Sequence, residues 1–113
     1  MNVDNMKSQM RKGVLELCIM SIIAQEESYT TDIIHKLKES ELIIVEGTLY
    51  PLLSRLRSAG FLDYSWKESS SGPPRKYFTI TNEGNNFLSE LKMNWDQLVN
   101  AVNSTQTSTT TNE

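Results

Sequence analysis

Glu46-Gly-Thr-Leu-Tyr-Pro-Leu-Leu-Ser-Arg-Leu-Arg-Ser-Ala-Gly60 is the stretch on which the reading of this chain turns. Leu49, Leu52, Leu53 and Leu56 recur at i, i+3, i+4 and i+7, which gathers them on one face of a helix. Thr48, Pro51, Ser54, Arg55 and Ser58 fall on the opposite side, with Tyr50 and Arg57 on a flank and no acid among them. Gly60 supplies the stop, because glycine enters the left-handed conformation that closes a helix without steric cost. Such a helix is either an ordinary amphipathic core element or one laid against a partner. Its hydroxyls, tyrosine and arginines suit the major groove of DNA, and the stretch alone leaves both readings open.

Pro51 limits where this helix begins, since an interior proline removes a hydrogen bond and clashes with the preceding turn. In the first turn it costs nothing, so the sequence predicts a start at Gly47 or Thr48. Thr48 and Tyr50 then sit in the first turn, the part of a recognition helix that meets base edges and phosphates.

Upstream, proline is absent from Met6 to Gln25 and the second half is apolar nearly all round, which predicts a helix buried on more than one side. Gly13 would cost that helix about 1 kcal/mol relative to alanine. Cys18 lies in the apolar run and reads as a buried, inert thiol. Polar residues 25–31 break the pattern, and Ser28 or Thr30 is positioned to cap a second helix carrying Ile33, Ile34 and Leu37 inward. His35 has no second histidine or cysteine at ligand spacing and reads as a surface residue. Residues 39–45 form the link, where Ile43 and Val45 either pair as a short strand or pack beneath the next helix. Helix, link and helix over about 30–60 make a helix-turn-helix.

Downstream the period changes to two. Phe61 to Lys67 and Lys76 to Thr81 read as strands joined by the loop Glu68-Ser-Ser-Ser-Gly-Pro-Pro-Arg75. Lys67, Arg75 and Lys76 flank that loop, so the hairpin reads as the basic wing of a winged helix. Thr81 or Asn82 caps a last helix in which Leu88, Leu91, Trp95, Leu98 and Val102 follow at spacings of 3, 4, 3 and 4. That heptad seam, widened by Phe87 and Val99, predicts pairing with a second copy. Residues 104–113 are polar and low in complexity, and read as a disordered tail.

The chain of 113 residues carries a net charge of −3, which taken whole disfavours nucleic acid. The distribution along the chain points the other way. Residues 55–76 hold five basic side chains against two acidic ones, and a phosphate footprint depends on local charge because screening ends its reach within roughly 10 Å. A lone cysteine, no signal peptide and no run long enough to cross a bilayer predict a cytoplasmic protein. No phosphate loop, paired metal ligands or nucleophile motif is present, so an enzyme, a metal and a cofactor are not expected.

The segment Glu46 to Leu56, the loop Gly72-Pro-Pro-Arg-Lys-Tyr77 and Ile80-Thr81-x-x-Gly84, in this order, resemble PadR-type transcriptional regulators of the short subfamily with one C-terminal helix. The similarity spans roughly residues 8–102. It implies a homodimeric winged helix-turn-helix repressor on a pseudo-palindromic operator, the last helix of each subunit pairing with the partner's first. Thr48, Tyr50 and Pro51 fall on the family's recognition-helix start, and Arg75 and Lys76 on its wing. Some members bind aromatic or cationic effectors at the dimer interface, where Trp95 would stack. Where many members begin the second helix Tyr-Gly-Tyr-Glu, this chain has Tyr29-Thr-Thr-Asp32.

The expected architecture is therefore mainly α with a small β-hairpin. A winged helix-turn-helix spans 6–81, residues 6–25 also joining the dimer interface, and a dimerisation helix spans 82–103. The expected DNA-binding residues are Thr48, Tyr50, Pro51, Ser54, Arg55, Lys67, Arg75 and Lys76. Those of the dimer are Phe87, Leu88, Leu91, Trp95, Leu98 and Val102. The alternative is a protein–protein adaptor on the same fold that binds no DNA.

Overall fold

The computed structural model describes residues 1–107. In chain order its elements are α1 (Val3–Lys12), α2 (Leu15–Gln25), β1 (Ser28–Tyr29), α3 (Thr30–Glu39), α4 (Glu46–Ser58), β2 (Leu62–Ser69), β3 (Gly72–Ile80) and α5 (Asn82–Gln106). Ile19, Met20, Ile23, Ile33, Leu37, Leu49, Leu53 and Leu56 form the core beneath α2, α3 and α4, closed by Leu62, Phe78 and Leu88.

The single helix expected over 6–25 is two. α1 ends at Gly13, and the chain turns there before α2 begins, so the glycine sits at a break and the interior penalty does not arise. The two parts differ as their compositions do: α1 buries no residue, whereas α2 buries Ile19, Met20 and Ile23.

α3 is capped by a different residue from those expected. Tyr29 is the N-cap, and the Asp32 carboxylate accepts its backbone N–H at 3.1 Å. Ser28 is instead buried in β1, its hydroxyl bonded to the Glu26 carbonyl at 2.8 Å. α3 ends in a Schellman closure: the Leu42 N–H donates to the Leu37 carbonyl and the Glu41 N–H to that of Lys38, with Glu41 at φ +64°. In the link, Ile44 is the residue that packs into the core, while Ile43 and Val45 are exposed and neither enters a strand.

α4 begins at Glu46, slightly ahead of the Gly47 or Thr48 that the sequence suggests. Val45 is the N-cap, its carbonyl accepting from Leu49 at 3.1 Å, so Pro51 lies in the second turn. The missing N–H leaves the Gly47 carbonyl without its helical donor, and exposure of both residues lets water reach it. The expected stop holds: Gly60 has φ +87°, Phe61 N–H donates to Leu56 and Gly60 N–H to Arg57.

The sheet has three antiparallel strands in the order β1-β3-β2. β1 has only two residues, pairing Ser28 with Phe78 and Tyr29 with Tyr77; a polar dipeptide carries no strand pattern, and the sequence alone reads it as a helix approach. The hairpin is longer than expected because Gly72-Pro-Pro74 belongs to β3, next to a register shift between Lys67 and Ser69. The prolines are tolerated there because β1 pairs only at 77–78, leaving β3 an open edge at 73–74.

Thr81 caps α5 by accepting the Gly84 N–H at 3.0 Å, while its own hydroxyl donates to the Gly60 carbonyl at 2.6 Å. Gly84 is required by packing: a Cβ built there would stand 2.1 Å from the Phe61 carbonyl oxygen. The Ile-Thr-x-x-Gly motif is thus a clamp between hairpin, α4 terminus and α5. Helix α5 runs to Gln106, three residues into the stretch expected as tail; residues 108–113 lie outside those described.

Candidate nucleic-acid interface

At about 100° per residue the leucine stripe of α4 has two flanks. Arg57 lies on the flank of Tyr50, whereas Arg55 lies on that of Thr48, facing the other way. The contacts follow this division. Arg55 Nη2 donates to the Glu16 carboxylate of α2 at 2.5 Å, on the side of α2 and α5. Arg57 turns toward the hairpin, its guanidinium 4.4 Å from the centre of the Tyr64 ring. Thr48 and Tyr50 are exposed on these flanks, and Pro51 and Ser54 between them.

The hairpin also has two faces, because directly opposed residues of an antiparallel pair share one. Tyr64, Trp66, Lys76 and Phe78 share the face toward α4. Lys76 Nζ lies 4.3 Å from the centre of Tyr64 and 5.5 Å from that of Trp66. Lys67 and Arg75 are on the opposite face. Lys67 forms an ion pair with Glu27 and lies over Tyr77, and Arg75 lies 4.9 Å from the centre of Tyr29. Of the three wing cations expected together, only Lys76 adjoins α4.

Tyr50, Ser54, Arg57, Ser58, Tyr64 and Lys76 line a cleft between α4 and the hairpin. Arg57, Ser58, Tyr64 and Trp66 were not among the expected DNA-binding residues. The signal for them is present in the sequence: the helical angle sets Arg57 beside Tyr50, and strand alternation sets Trp66 opposite Lys76.

The seam of α5 divides near Leu91. Leu88 is 4 % exposed and belongs to the protomer's own core, and Phe87 stacks on Phe61 with centroids 4.2 Å apart. Leu88, expected at a dimer interface, is thus buried within one chain, whereas Phe87, expected there too, stays partly exposed beside the open groove. Beyond them Trp95, Leu98 and Val102 are 42, 54 and 45 % exposed. Trp95 lines a groove of about 730 Å³ with Phe61, Phe87, Leu91 and Leu98, with Arg55 and Glu16 also on its lining. Cys18 is half-buried, and burial pushes its thiol above the usual range, so it carries less thiolate at neutral pH than a free cysteine. No group of three metal-ligating side chains occurs among the described residues, and none of their helices is long and apolar enough to cross a membrane.

A helix-turn-helix whose second helix holds no acid from Thr48 to Ser58, beside a basic, aromatic hairpin, defines the winged helix-turn-helix class. The family model described as "Transcriptional regulator PadR-like family" matches residues 19–90, and the chain belongs to that family. Its solved relatives include a PadR-like transcription factor from Bacteroides fragilis, 56 % identical over 88 % of this chain and 97 % of that one, with a TM-score of 0.74. A PadR-like regulator from Bacillus cereus is 40 % identical over 89 % of this chain and 99 % of its own, at 0.79. A PadR-family regulator from Eggerthella lenta is 32 % identical over 95 and 94 %, at 0.86. The activity of the chain is accordingly DNA-binding regulation of transcription, and it is not an enzyme.

Proposed function

We propose that the protein is a homodimeric repressor that seats two copies of α4 in successive major grooves of a pseudo-palindromic operator, about 34 Å apart. The observation that carries this reading is the exposed face of α4 from Thr48 to Ser58, which holds no acid after Glu46 in the first turn and is continuous with the basic face of the hairpin. Thr48, Tyr50 and Pro51 meet base edges and sugars; Ser54, Arg57 and Lys76 hold phosphate. Arg55, Lys67 and Arg75 lie to the sides and contribute less, since Glu16, Glu27 and the Tyr29 ring engage them in the free protein.

The dimer is supported by the uncovered half of the α5 seam together with α1, which is amphipathic and has nothing to cover its apolar residues. The Trp95 groove supports release by a small aromatic or cationic effector at that interface. The test is binding of a duplex from the chain's own upstream region, followed by anisotropy between 50 and 200 mM salt. Affinity falls steeply with salt if phosphates are neutralised, and Tyr50→Ala weakens it by about tenfold with the melting temperature unchanged. Binding with no salt slope, or none at all, refutes the DNA reading and favours the adaptor. For the effector, titration with aromatic acids and cationic aromatics quenches Trp95 fluorescence and lowers duplex affinity together; quenching without loss of affinity refutes release.

A further inference from the structure

The cleft between α4 and the hairpin has a composition that neither element explains alone. Arg57 and Lys76 arrive from different elements and converge on one ring, so their charges stand no further apart than the sum of two centroid distances, 4.4 and 4.3 Å. That is within about one screening length of each other. Two like charges so placed repel, and no carboxylate lies among the residues lining the cleft. Among the described residues neither cation is in an ion pair, whereas Arg55 and Lys67 each have one. The hydroxyls of Ser54 and Ser58, one helical turn apart, and of Tyr50 add donors to the same space. Its volume of about 210 Å³ is below the ~300–1,000 Å³ of a site for a drug-sized molecule.

We propose that this cleft is a phosphodiester site: one backbone phosphate of the DNA seats between α4 and the hairpin in each protomer. Arg57 and Lys76 bind it together, Ser54 and Ser58 donate to its oxygens, and Tyr64 is the positioning residue that holds both cations. The inference rests on the DNA-binding reading and deepens it. It makes helix and wing a single clamp on one strand rather than two independent contacts. The Tyr64 ring offers a face to both cations while its neighbours Trp66 and Phe78, at 6.2 and 5.9 Å, fix its plane.

The salt dependence of duplex binding separates one shared phosphate from two. Counterion release counts phosphates neutralised, each contributing roughly 0.9 to the slope of log affinity against log salt. Arg57→Ala and Lys76→Ala each weaken binding by about tenfold or more at 100 mM salt. Because the dimer carries one such phosphate in each protomer, the double variant lowers the slope by about two in total, not about four. Tyr64→Phe keeps the wild-type slope, and Tyr64→Leu lowers affinity in the wild-type chain but has no further effect in the double variant. Every variant is checked for an unchanged melting temperature.

A slope lowered by about four in the double variant, about two phosphates in each protomer, means separate phosphates and overturns the clamp. So does a Tyr64→Leu penalty that persists when both cations are gone. If inorganic phosphate shifts the Ser54 and Ser58 amide resonances while both single variants bind duplex as the wild type does, the cleft takes free phosphate and its assignment to DNA is wrong. A wild-type chain without any salt slope fails earlier, on the DNA reading itself.

Discussion

Two residues carry more of the architecture than their size suggests. Gly84 admits the Phe61 carbonyl at a distance no side chain allows, so Gly84→Ala forces α5 away from the hairpin base. The expected cost is about 1–3 kcal/mol, the range for overpacking a well-filled site, read as a lowered midpoint in thermal melting. A midpoint equal to wild type would mean α5 shifts freely, and the clamp at Thr81 would then not be rigid. Glu41 shows the opposite case: a non-glycine residue in the left-handed region at the end of α3. Strain of roughly 1–2 kcal/mol is relieved by Glu41→Gly, and the added freedom of the unfolded chain cancels part of it. The net expectation is a gain of about 0.5–1 kcal/mol, some degrees in melting temperature; a loss would show that the Glu41 side chain has a stabilising role.

At the scale of elements, α4 balances packing against a helix breaker. Leu49, Leu53 and Leu56 anchor it to the core, which holds the helix together despite a proline in its second turn. Pro51→Ala restores the N–H that the Gly47 carbonyl lacks, and raises stability by about 2 kcal/mol once unfolded-state entropy is subtracted from the ~3 kcal/mol penalty of an interior proline. Denaturant melting measures it, and an unchanged midpoint would place the helix start after Gly47. The same variant removes an exposed pyrrolidine from the proposed DNA face, so its stability gain and its duplex affinity are expected to move in opposite directions. Pairing of cations with aromatic rungs explains why the hairpin can carry Lys67, Arg75 and Lys76 at neighbouring positions: each lies over a different ring or on a different face.

The whole molecule is elongated. Its radius of gyration is 17.2 Å, against the ~13 Å of a compact domain of about 100 residues. The excess comes from α5, whose 25 residues extend about 37 Å at the helical rise. The part that projects carries Leu98 and Val102, apolar and uncovered. Leu98→Asp with Val102→Asp is expected to give a monomer by sedimentation at micromolar concentration, with helical content retained. Duplex affinity then falls about a hundredfold or more, because two tethered helices bind as one unit. Met93→Asp, 62 % exposed but on another side of α5, is the control that changes neither. A wild-type chain that already sediments as a monomer would overturn the dimer.

Much of this was determined by local sequence, because the physics behind it is local. The leucine period of α4, its Gly60 closure, the two alternating strands and the Thr81 cap each depend on residues within a few positions of one another. The absence of acids from Thr48 to Ser58 of α4 was legible for the same reason. Tertiary structure alone decided what depends on neighbours distant in sequence. It made Ser28–Tyr29 a strand by pairing it with Phe78 and Tyr77, some fifty residues on. It buried Leu88 in one protomer and stacked Phe87 on Phe61, leaving the distal half of an unbroken heptad stripe uncovered. And it separated cations that composition cannot distinguish: Glu16 and Glu27 neutralise Arg55 and Lys67, while Arg57 and Lys76 meet over Tyr64 with no acid beside them. A charge in sequence is only a count; its use depends on what the fold sets within a few ångströms, where the Coulomb interaction exceeds screening.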